Sequence, residues 1–121
     1  MTILLERRRP GQARLPIRVP AVTEAIGSSR EAGRGEAQNL SAGGLLLRLE
    51  NALTPGALVR VTLRLRHRPP LVLTGTVAWA KPHVEFSGWA TGIVFGEELP
   101  GEMVGEIADA EYPPWPPRSF Q

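Results

Sequence analysis

Apolar and polar positions alternate through the middle of this chain with the period of a pleated strand. Residues 57–66 place Ala57, Val59, Val61, Leu63 and Leu65 on one side and Leu58, Arg60, Thr62, Arg64 and Arg66 on the other, which predicts a half-buried β-strand. Residues 71–80 repeat the pattern, with Leu71, Leu73, Val77 and Trp79 facing one way and Thr74, Thr76, Ala78 and Ala80 the other, interrupted by Gly75. Trp89, Thr91, Ile93 and Phe95 form a further face opposite Ala90, Gly92 and Val94, and residues 45–49 predict another short strand. Glycines inside strands, here Gly75 and Gly92, mark bulges or close backbone approach of the kind curved sheets need. Short strands at this spacing predict a barrel.

Turn chemistry falls between these runs, at Thr54-Pro55-Gly56, at His67-Arg68-Pro69-Pro70, and from Lys81-Pro82-His83 to Gly88. Upstream, Leu15, Ile17 and Val19 alternate with Arg14, Pro16, Arg18 and Pro20. A proline has no N–H for a ladder, so this segment is expected at an edge or as an extended arm. Gly27 to Gly35 reads as a loop into a strand that ends near Asn39. Behind Pro100, Met103, Val104, Ile107 and Ala108 recur at helical spacing and predict a short C-terminal helix, which Gly105 weakens by roughly 1 kcal/mol. The last residues, Tyr112-Pro113-Pro114-Trp115-Pro116-Pro117, predict a polyproline-like tail. The organisation expected is a basic arm over 1–13, a barrel with its helix over 14–109 and a Pro-rich tail over 110–121.

Composition narrows the picture. A chain of 121 residues is long enough for one packed core and too short for two. It has no cysteine, which excludes disulfides, thiolate zinc sites and a cysteine nucleophile and is consistent with a reducing compartment. Pro10 and Gly11 follow Arg7-Arg8-Arg9 where a secretion signal would need an apolar run, so a cytoplasmic location is expected. Charge is polarised: residues 1–18 carry five arginines against Glu6, while residues 97–121 carry five glutamates and Asp109 against Arg118. Thirteen of the fourteen cations are arginine, whose planar fork grips phosphate in two places and stacks on flat rings.

Two motifs stand in a suggestive order. Arg14-Leu15-Pro16-Ile17-Arg18 offers a phosphate grip, and Asn39-Leu40-Ser41-Ala42-Gly43-Gly44 offers a small polar turn. With Thr74-Gly75-Thr76-Val77-Ala78-Trp79 and the run from Gly88 to Phe95, the chain over roughly residues 7–109 resembles the PilZ domain family, bacterial receptors for cyclic di-GMP. Its signature is Arg-x-x-x-Arg followed about twenty residues later by Asp/Asn-x-Ser-x-x-Gly. The resemblance implies an all-β fold: a six-stranded antiparallel barrel with a short C-terminal helix. It also implies a cyclic di-GMP site formed by Arg9, Arg14, Arg18, Asn39, Ser41, Gly44 and Trp79. The arginines would take phosphates and the paired O6/N7 edge of guanine. Asn39 and Ser41 would hydrogen-bond a base edge, and Gly44 would let the backbone pass close to it.

Arg9 and Arg14 are five residues apart while Arg14 and Arg18 have the four-residue spacing of the signature, and both pairs stand as candidates for the functional one. In an extended chain the second pair would stand about 13 Å apart on one face. Trp79 alternates with core residues, while the resemblance allows an aromatic beside the ligand. Binding would order the N-terminal arm and change the surface shown to a protein effector. No cofactor or metal is expected, and no catalytic function: His67 and His83 lie at turns, Asp109 is the only aspartate, and no Ser-His-Asp order or Walker-type loop is present. Two other readings compete: a relative that acts as an adaptor without ligand, and a basic barrel that binds nucleic acid through Arg60, Arg64, Arg66 and Arg68. The latter lacks aromatics interleaved on the same face for base stacking.

Overall fold

A computed structural model describes residues 13–27, 31–83, 85 and 87–112. Among the described residues, six strands, β1 (Leu15–Ala25), β2 (Glu31–Leu40), β3 (Gly44–Leu49), β4 (Leu58–Leu63), β5 (Leu71–Pro82) and β6 (Trp89–Phe95), precede a helix, α1 (Gly101–Ala110). Every pairing is antiparallel, and the strands close into a barrel in the order β1-β2-β3-β6-β5-β4. The all-β class, the barrel and the terminal helix are as expected.

Period-two alternation produces the interior. Val19, Leu47, Leu49, Val59, Val61, Leu63 and Val77 are fully buried and Ile93 nearly so, each worth about 1.5–3 kcal/mol relative to exposure. Two threonines also point inward, and both are satisfied: Thr23 donates to the Gly33 carbonyl at 3.0 Å and Thr91 to that of Trp89 at 3.3 Å. The predicted turns at Gly56, φ +91°, and His67, φ +52°, hold, while the one before Gly88, φ +106°, starts later than expected because β5 runs on through Lys81 and Pro82.

Two local expectations change. Gly33 and Gly35 lie within β2 rather than in a loop, because β2 begins at Glu31. A side chain at Gly35 would collide with the Arg48 carbonyl oxygen of β3, so glycine there permits close strand approach rather than flexibility. β1, expected at an edge, is paired on both sides over Ala21–Glu24 and with β2 alone between Leu15 and Pro20. The proline reading is therefore right for half the strand: Pro20 needs no N–H there and accepts from the Arg64 N–H through its carbonyl.

The helix closes one end of the barrel with Val104, Ile107 and Ala108. Its C-terminal residue makes the junction. The Glu111 carbonyl accepts from the Arg18 N–H at 3.0 Å. The Glu111 side chain, 2% exposed, accepts from the Arg66 N–H at 2.8 Å and lies 3.9 Å from the Arg66 guanidinium. β1, through the Glu111 carbonyl, and the β4–β5 connection, through its carboxylate, thus meet on one residue at the helix end.

Candidate functional site

The site lies on the outside of the barrel and is made by departures from alternation. On β2, Ala37 is buried and strict alternation would also turn Asn39 inward. The β2–β3 register instead advances from Ala37↔Leu47 to Asn39↔Leu46, leaving one extra residue that turns Asn39 to the outer face. β5 does the same. Val77 pairs with Ile93, yet Trp79 pairs with Gly92, so the indole emerges outside and is half-buried rather than core. Bulges of this kind re-aim side chains beside functional sites.

Register then places Pro16, Asn39, Leu46, Gly92 and Trp79 in one cross-strand row over five neighbouring strands. Asn39 and Trp79 are separated by roughly 14 Å, three interstrand spacings. Gly92 seats the ring: a Cβ there would lie 2.5 Å from the Trp79 Nε1 and 2.6 Å from its Cε2. A cavity of about 180 Å³ opens along this row, lined by Arg14, Asn39, Ser41, Gly44, Trp79 and Gly92 among others.

The turn after β2 is braced from within. The Ser41 hydroxyl donates to the Gly44 carbonyl at 3.3 Å, beside a 2.9 Å bond from its own N–H to the same oxygen. The hydroxyl retains only acceptor capacity for a ligand. Gly44 has an ordinary negative φ and is packed against β6, where a Cβ would strike the Ile93 carbonyl oxygen. Its small size serves strand approach.

Of the residues singled out in the sequence, Arg14, Asn39, Ser41, Gly44 and Trp79 converge on this cavity. Arg18 does not: its exposed side chain lies 3.8 Å from Glu36 on β2. Arg9, the N-terminal arm up to residue 12 and the tail from residue 113 lie outside the described residues. Arg14 has no ion pair with a described carboxylate. The arginine stripe is less available than its sequence suggests, because Arg60 pairs with Glu24 at 3.6 Å and Arg66 with Glu111. Sequence reasoning missed Leu46 and Gly92 as parts of the site, since their roles depend on partner strands. The signal present for Gly92 was a glycine interrupting an otherwise regular strand. Among the described residues no helix is long and apolar enough to cross a membrane, and no group of three or more His, Asp or Glu is placed to hold a metal.

The sequence model of the PilZ domain matches residues 6–110. No curated protein matches the chain. Among solved structures, the PilZ domain of YcgR from Escherichia coli, determined with c-di-GMP, is similar with a TM-score of 0.68 at 15% identity, over 86% of this chain and 91% of that one. The Bacillus subtilis inhibitor of motility (MotI/DgrA) is similar with a TM-score of 0.63 at 17% identity, over 85% of this chain. This chain spans only 50% of that protein's length. The PilZ domain of CeSA from a cellulose-synthesizing bacterium has a TM-score of 0.55 at 20% identity, over 76% of this chain and 89% of that one.

Proposed function

This chain belongs to the PilZ domain family, and on that footing we propose that it is a cyclic di-GMP receptor that binds the dinucleotide along the outer row from Asn39 to Trp79 and signals by protein–protein contact. The observation that carries the reading is the pair of bulges. Each turns a residue that alternation would bury, one polar and one aromatic, into the same cavity as Arg14. A similar fold in a domain determined with c-di-GMP supports it.

Each residue has a role in this reading. Arg14 meets a phosphate or the O6/N7 edge of guanine with its fork. Asn39 offers a donor and an acceptor to a base edge, and the Ser41 hydroxyl oxygen accepts. Trp79, held flat by Gly92, gives a base a surface to stack on, a contact worth about 1–3 kcal/mol. The cavity of about 180 Å³ is below the roughly 300–1,000 Å³ that ordinary ligand sites enclose. The described residues therefore supply part of the site, and the basic arm with Arg9 is proposed to close over the ligand from the Arg14 side. Arg9 and Arg14 then form the working pair, since Arg18 stands outside the cavity. The arm's passage from free to ligand-held changes the face offered to a protein effector, an order–disorder switch.

Calorimetric titration of the full chain with cyclic di-GMP, beside GTP and a single-stranded oligonucleotide, tests this reading. Saturable binding of cyclic di-GMP alone, lost in Arg14→Ala and Arg9→Ala but retained in Arg18→Ala, is the expected result. Absence of cyclic di-GMP binding would sink the receptor reading and leave an adaptor without ligand.

A further inference from the structure

Lys81 is the only lysine in a chain with thirteen arginines, and it stands next to the site. Its Nζ lies 5.0 Å from the centre of the Trp79 ring, and it follows Trp79 by two positions on β5, on the same side of the strand. Trp79 lines the cavity and is seated on Gly92. Two strand arginines lie beside carboxylates, Arg18 by Glu36 and Arg60 by Glu24. Lys81 has no ion pair among the described residues, and what holds it is the face of an aromatic ring.

An ammonium over an exposed indole is bound weakly, and its four-carbon stem lets it leave without moving the backbone. Arg14 and Lys81 sit toward opposite ends of the outer row, Arg14 before β1 and Lys81 at the far end of β5. The ligand proposed above carries two phosphodiesters.

We propose that Lys81 is a second anion-binding residue of this site: it rests on Trp79 in the free protein and moves to one phosphodiester of bound cyclic di-GMP, while Arg14 serves the other. The inference rests on the receptor reading and adds to it a residue outside the family signature. It also gives Trp79 two occupants in turn, a cation before binding and a base after it.

The test is calorimetric titration of the full chain with cyclic di-GMP in about 50 mM and about 500 mM salt, because exposed charge contacts fade as the screening length shortens. Lys81→Met keeps the apolar stem and removes the charge, and Lys81→Arg keeps the charge. Lys81→Met is expected to bind about fivefold more weakly at low salt, the scale of one exposed charge contact, with the gap closing at high salt, while Lys81→Arg keeps more affinity than Lys81→Met. Equal affinity of Lys81→Met and wild type at low salt, or a loss of the same size at both salts, overturns the role of Lys81 and leaves the receptor reading intact. Failure of the wild-type chain to bind overturns both.

Discussion

Replacing Gly44 by alanine separates two reasons why a glycine stands there. If it exists for the ligand, a methyl group costs affinity and leaves the fold unchanged. The structure points to the fold: a Cβ at 44 would strike the Ile93 carbonyl oxygen and lie 3.3 Å from its carbon and 3.5 Å from the Val94 Cα. These are backbone atoms of the paired strand and cannot rotate away. Relief requires β3 and β6 to part at this end, where the Phe95 N–H donates to the Gly43 carbonyl at 2.9 Å. Overpacking of this kind costs about 1–3 kcal/mol, and one or two weakened backbone bonds add about 0.5–1.5 kcal/mol each. A loss of roughly 2–4 kcal/mol follows, a large share of the 5–15 kcal/mol typical of a domain. Gly43 is the internal control, since a Cβ there meets nothing within 4 Å and its φ is not positive. Gly43→Ala should therefore be neutral or stabilising by a few tenths of a kcal/mol. Urea unfolding followed by far-UV circular dichroism measures both. A Gly44→Ala midpoint within about 0.5 kcal/mol of wild type would refute the close-packing argument, and loss of cyclic di-GMP binding in that same stable variant would assign the glycine to the ligand.

Three further outcomes follow from the same coordinates. Glu111→Ala removes a buried acceptor of the Arg66 N–H, and should cost about 2–3 kcal/mol in chemical unfolding, while Glu111→Gln, which keeps an acceptor oxygen, should cost less than half as much. Gly105→Ala fills open space inside α1 and should raise stability by about 0.5–1 kcal/mol, seen as a higher melting temperature with unchanged ligand affinity. Gly92→Ala should unseat the Trp79 indole, shifting tryptophan emission to longer wavelength and weakening cyclic di-GMP binding about tenfold or more, from the 1–3 kcal/mol of a lost stacking contact; unchanged emission and affinity would show that the ring does not need that seat.

Alternation along single strands was enough to place Val59, Val61, Leu63, Thr91 and Ile93 inside the barrel, because those stretches of β4 and β6 run without a bulge. The helix was equally legible, since Val104, Ile107 and Ala108 need only their own spacing to define a face. Asn39 and Ser41 were found through their motif. Trp79 shows the limit of the method: its own strand makes it a core residue, and only the pairing with β6 inserts the extra residue that turns it outward. Gly33 and Gly35 failed for a related reason, as a glycine that admits a neighbouring strand and a glycine in a loop look alike until the neighbour is known. Lys81 drew no notice because a single lysine in a turn region has no pattern to belong to.

Closure of the barrel limits how a partner is recruited. A sheet with an outer strand offers unpaired N–H and C=O groups to any extended peptide, and many domains capture their targets by adding a strand there. Here β1 and β4 seal the sheet over Ala21–Ala25, and along Leu15–Pro20 two prolines and the Glu111 carbonyl occupy the exposed side of the ladder. A protein partner of the kind proposed would therefore be recognised by side chains and by surface shape rather than by backbone pairing. It also follows that a chain cut before Glu111 would free the Arg18 N–H, so the end of the helix covers a backbone donor of β1 as well as closing the barrel.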